Sequence, residues 1–152
     1  MNLPLRFFLV LAAFMFAGCE STSFSDRLTA VPPQTQVVDG DVEGVYFAAQ
    51  KAFKRLDFVL VRSTMGRIEA ASSIKTSETF GDSRQTVARV RIIQLEPGKS
   101  EVELSLTQEV GSASLGGTRQ EALREHSFFQ TYFATLQQVW AELAAEKAVE
   151  KK

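Results

Sequence analysis

The residue types that most often do chemistry are scarce in this chain. It holds one cysteine, Cys19, and one histidine, His126. One thiol and one imidazole are too few for a disulfide framework or a Cys/His zinc site. Ser127 follows His126 and sets a hydroxyl beside a base. On a helix, neighbouring side chains diverge by about 100°, so adjacency alone makes no nucleophile–base pair. No orienting carboxylate and no oxyanion donors can be named around them. The sequence therefore assigns no catalytic residue, no metal ligand and no cofactor, and the expectation is a protein that is not an enzyme.

Three further segments invite a chemical reading. Gly111-Ser112-Ala113-Ser114-Leu115-Gly116-Gly117-Thr118 has the glycine spacing and closing threonine of a phosphate-binding loop. Gly117 stands where that loop needs the lysine that reaches the phosphates, so the segment reads as a flexible connection from a strand to a helix. Asp39-Gly40-Asp41-Val42-Glu43 looks like the start of a calcium loop. The remaining ligands and the closing glutamate are missing, and helix capping is the better reading. Arg84, Arg89 and Arg91 form a modest basic row with Glu101 and Glu103 nearby. Cross-strand ion pairing on a wet sheet face accounts for it.

Composition sets the frame. The chain has 152 residues, 45% hydrophobic and 23% charged, with 9 glycines and 4 prolines. That fits one globular domain and excludes collagen-like or low-complexity chains. A net charge of −1 supplies no global field to attract nucleic acid, and none is expected as a partner.

The N-terminus carries the sharpest signal. Arg6 is followed by an unbroken apolar run, Phe7–Ala17, and then by Gly18 and Cys19. At about 1.5 Å per residue such a run covers about half of a bilayer core, the size of a signal-peptide core rather than a permanent span. Phe16-Ala17-Gly18-Cys19 resembles the lipobox of bacterial lipoproteins. The resemblance implies cleavage between Gly18 and Cys19 and lipid attachment at Cys19. Two or more acyl chains make such an anchor stable. The implied partner is then the membrane, held through acyl chains on Cys19.

The elements behind these residues follow from periodicity. Residues 1–18 read as a signal peptide, and 19–40 as a lipidated N-terminus and flexible linker stiffened by Pro32-Pro33, with Val37-Val38 able to form a short leading strand. The domain is expected over 41–146, with 147–152 a charged tail. Val42, Val45, Tyr46, Ala49, Ala52, Phe53 and Leu56 predict a helix over 41–56. Alternation predicts strands near 58–62, 68–74, 85–95 and from about 101. Around Pro97-Gly98, a pairing of Ile92 with Val102 and Val90 with Leu104 keeps apolar side chains on one face and sets Arg91 opposite Glu103. A three-residue turn with Gly98 left-handed in a bulge would give that register. Phe129, Tyr132, Phe133, Leu136, Val139, Trp140 and Leu143 predict a last helix ending near 146. Thr118 with Glu121 fits a capping box, so its start is expected at 118 or near 126.

The fold class expected is α+β, a two-layer sandwich in the order helix, four antiparallel strands, helix, with both helices on one face of the sheet. The function expected is that of a periplasmic lipoprotein, a structural or accessory module of the cell envelope with an unidentified protein partner. The outer membrane is preferred over the inner. An edge strand near 58–62 or 100–110 is the expected docking element. The alternative is a carrier of a lipid or apolar ligand, with its pocket between helices and sheet.

Overall fold

The computed structural model describes residues 31–77, 81–112 and 117–150. Its elements run β1 (Gln34–Val38), α1 (Val42–Arg55), β2 (Val59–Thr64), β3 (Arg67–Ala71), β4 (Lys75–Thr76), β5 (Ser83–Glu96), β6 (Lys99–Ser112), β7 (Gly117–Leu123) and α2 (Ser127–Glu150). Seven strands join one sheet in the order β1-β6-β5-β3-β2, with β4 on β5 and β7 on β6. Every pairing is antiparallel. The expected helix–four strands–helix sandwich is thereby overturned, and the molecule is mostly sheet.

The physical reason lies in polar strands. β1 occupies part of the stretch read as linker, pairing Val38 with Ser100 and Gln34 with Leu104. β7 takes the residues read as a helix start, so Thr118 and Glu121 lie on a strand opposite Gly111 and Gln108. Neither strand shows apolar alternation because each has a neighbouring ladder to bond, and each adds only one side chain, Val38 or Leu123, to the core. α2 starts at Ser127 and runs to Glu150, through residues read as a frayed tail.

β5 and β6 carry 14 residues each, or about 45 Å at ~3.3 Å per residue. Their register is the one expected: Ile92 faces Val102, Val90 faces Leu104 and Arg91 faces Glu103. Gly98 has φ +79°, but Glu96 pairs with Lys99 and the irregularity falls between Gln94 and Glu96. The bulge thus sits at Leu95 rather than in the turn, and Pro97-Gly98 closes a two-residue connection.

One face of the sheet is apolar and carries both helices. Ala48, Ala49, Ala52, Ala70 and Ala88 are fully buried, so small side chains let α1 approach the strands closely. Phe53, Leu104, Leu136 and Tyr132 fill the remaining space. Phe129, Tyr132, Leu136 and Val139 recur at three and four along α2 and are buried, while Phe133, Trp140 and Leu143 are only partly covered. Asp57, at φ 58°, ends α1. The Phe58 amide donates to the Phe53 carbonyl at 3.0 Å and the Asp57 amide to the Lys54 carbonyl at 3.3 Å. With the Phe53 and Phe58 rings 5.9 Å apart, this is a Schellman stop with its hydrophobic contact. Arg55 and Glu142 tie α1 to α2 through a two-pronged ion pair. The Arg55 guanidinium holds the Glu142 carboxyl below its ordinary range.

At about 1.5 Å per residue, α1 covers about 21 Å, less than half of the long hairpin. Beyond Ala88 and Leu106 the hairpin adds no residue to the buried core cluster, and this far part, flanked by β4 and β7, forms a polar wing.

Candidate functional site

The residues singled out in the sequence are scattered. Gly18 and Cys19 lie outside the described residues. His126 is exposed, and its Nδ1 accepts the Phe128 amide at 3.1 Å. It caps α2, the ordinary use of a side-chain acceptor at a helix start. Asp41 occupies the corresponding place before α1, with no side-chain cap bond. Among the described residues no group of three or more His, Cys, Asp or Glu side chains is arranged to hold a metal. The glycine-rich segment joins two antiparallel strands, with Ser112 opposite Gly117. The strand-to-helix connection expected there is thus a strand-to-strand connection.

The basic row also splits. Strand alternation puts Arg84 on the opposite face from Arg89 and Arg91. It lies in the wing beside Lys75, its register partner on β4. Arg89 and Arg91 stand on the open face, the one that carries neither α1 nor α2. There the structure adds two arginines that sequence reasoning missed, Arg62 on β2 and Arg67 on β3. Arg67 pairs in register with Arg91, Glu69 with Arg89 and Arg62 with Glu69. Together with Glu103 on β6 these side chains line a concavity of about 570 Å³. Val31 and Pro33, just before β1, form an apolar wall on one side, and the Thr64 and Ser105 hydroxyls reach it from β2 and β6.

The charges inside are unevenly matched. Arg89 Nε lies 3.6 Å from Glu69 and Arg91 Nη1 lies 3.7 Å from Glu103. Arg89 also approaches the Thr107 hydroxyl at 3.4 Å. Such exposed pairs contribute little stability, but they occupy both carboxylates. Paired strands set all four arginines on one face of the sheet, an arrangement suited to holding an anion. The missing signal was positional: Arg62 and Arg67 fall in two separate short strands, and only the register places them beside Arg89 and Arg91.

Two other surfaces bear on recognition. A second concavity of about 570 Å³ opens on the outside of the helix pair, lined by Gly44, Phe47, Trp140, Leu143 and Ala144. The expectation of a docking edge at 100–110 fails, because β6 is paired along both sides, with β5 on one and with β1 and β7 on the other. The edge at 58–62 does exist. β2 ends the sheet, Val59 and Val61 are exposed, and the register shifts between Leu60 and Arg62. A bulge and a charge at that point blunt the edge as a template for another strand.

No protein-family model matches the chain, and no curated protein matches it. Among solved structures, it is similar to the adenylate sensor of AMP-activated protein kinase, crystallised with 5-aminoimidazole-4-carboxamide ribofuranotide. The two are 16% identical over 69% of this chain and 93% of that one, with a TM-score of 0.40. It is also similar to a DUF4468 family protein from Bacteroides ovatus, 15% identical over 65% of this chain and 70% of that one, with a TM-score of 0.33. Neither similarity reaches the level of a shared fold, and what those proteins bind is a property of those proteins.

Proposed function

We propose that this chain is a lipid-anchored lipoprotein of the bacterial cell envelope, facing the periplasm, that works as a non-enzymatic accessory or interaction module. The observation that carries the reading is the segment Phe16-Ala17-Gly18-Cys19 behind its apolar run, with the chain's only cysteine at the attachment position. The arrangement of the domain supports it. Four arginines and two glutamates gather on one face of the sheet, a surface suited to contact with a charged partner. The space between helices and sheet is taken up by Phe53, Tyr132, Leu104 and Leu136, which favours an interaction module over a carrier with a pocket at that place.

Metabolic labelling with a fatty-acid analogue tests the anchor. Label should enter the wild-type chain and be lost in Cys19→Ser, with the variant recovered uncleaved or released from the membrane fraction. Equal labelling of the two would sink the proposal.

A further inference from the structure

We infer that the open face of the sheet holds a binding site for a phosphate-type dianion, seated between Arg62, Arg67 and Arg91. The inference concerns the folded domain and stands whether or not Cys19 carries lipid.

The argument starts from a pairing that a sheet alone would not favour. Arg67 and Arg91 are direct register partners on β3 and β5, and like charges opposite one another on one face destabilise the pair of strands. An acidic residue at position 67 would have stabilised the same place. The two glutamates in the concavity relieve it only in part, since Glu103 offsets Arg91 while Glu69 turns to Arg89. Among the described residues no carboxylate lies within ion-pair distance of Arg62 or Arg67. Among the described residues lining the concavity, four guanidinium groups against two carboxylates leave an excess of two positive charges.

An excess of two charges calls for a doubly charged anion rather than a carboxylate. The planar fork of arginine matches the tetrahedral oxygens of a phosphate, and such charge-assisted bonds are about twice as strong as neutral ones. Thr64 and Ser105, which line the same concavity, each carry a hydroxyl able to bond an anion. Its volume of about 570 Å³ lies within the range of sites that hold small organic ligands, roughly 300–1,000 Å³. The wall formed by Val31 and Pro33 would flank the organic body of a phosphomonoester. The anion can come from a free phosphate or from the headgroup of a phosphomonoester lipid.

Isothermal titration of the full-length chain in a zwitterionic detergent, with inorganic phosphate as the first probe, tests this. Binding should saturate, weaken with added salt, and fall about tenfold or more in Arg62→Gln/Arg67→Gln, because two charge-assisted bonds are lost. Glu103→Gln should move affinity the other way, since it frees the Arg91 guanidinium. All three positions point away from the core, so a circular dichroism melt should match that of the wild type. Soluble short-chain phosphatidic acid is the second probe. Tighter binding than phosphate assigns the site to a lipid headgroup, and equal binding assigns it to the free anion. Absence of saturable binding by either probe would overturn the inference, as would affinities unchanged in both variants.

Discussion

The β5–β6 hairpin passes through two environments. From its turn as far as Ala88 and Leu106, the side chains of Ala88, Val90, Ile92, Val102, Leu104 and Leu106 lie under the helices and are fully or almost fully buried. In its far half the same face carries Arg84, Thr86, Gln108 and Val110, and β7 extends it with Arg119 and Glu121. One half is held by packed apolar surface and the other by ladder hydrogen bonds and a few polar contacts, such as Gln120 Nε2 donating to Glu109 at 2.8 Å. Continuous strands therefore do not imply uniform stability. Local opening free energies track apolar burial, and the wing has little of it.

Truncation at matched depths along β6 tests this contrast most strongly. Leu104→Ala empties a site with no solvent exposure and should cost about 3–4 kcal/mol. Val110→Ala, six residues along the same strand and on the same face, should cost about 1 kcal/mol or less. Urea melts of the two variants give the difference directly. Similar losses would mean that the wing is packed as tightly as the core.

The next test acts on the helix layer alone. A Cβ on Gly40 would come within 2.5 Å of the Trp140 ring, and one on Gly44 within 3.0 Å. Trp140 therefore rests on backbone at two glycines instead of entering the sheet, which is why it is only partly buried. Gly40→Ala should destabilise by about 1–3 kcal/mol through overpacking. In a Trp140→Ala background the same change should cost clearly less, the non-additivity expected of touching groups. A double-mutant cycle by denaturant melts reads it, and strict additivity would refute the contact.

The smallest effect carries the opposite sign. The Tyr132 hydroxyl is buried without a hydrogen-bond partner, and burial drives its pKa well up. Its ring packs 4.6 Å from that of Phe53. Tyr132→Phe keeps the ring and removes the unsatisfied group, so it should stabilise by about 1 kcal/mol. A lowered urea midpoint would show that the hydroxyl has a partner in solution.

What the sequence made legible was what apolar periodicity encodes. The spans of α1 and of the hairpin, and the pairing of Ile92 with Val102, follow from spacing because a one-residue slip would turn every apolar side chain outward. β7 was hidden, and β1 was legible only at Val37-Val38, because strands that borrow a neighbour's ladder need little apolar face. The Thr118–Glu121 pair read as a capping box for the same reason, since no periodic signal opposed it. On the open face, Arg91 and Glu103 could be matched across a short turn. Arg62 and Arg67 could not, because their place depends on β2 and β3 docking beside β5.

The contact of Trp140 with Gly40 and Gly44 has an optical consequence. The chain has one tryptophan and two tyrosines, and Trp140, Tyr46 and Tyr132 all belong to the helix layer. The wing strands, from Ser83 to Thr86, from Thr107 to Ser112 and along β7, contain no aromatic residue. Intrinsic fluorescence and near-ultraviolet dichroism thus see the helices and their bed and are blind to the wing. A single sigmoid in those signals therefore leaves the wing out. Only a probe of the amides, such as hydrogen exchange, reports on those strands.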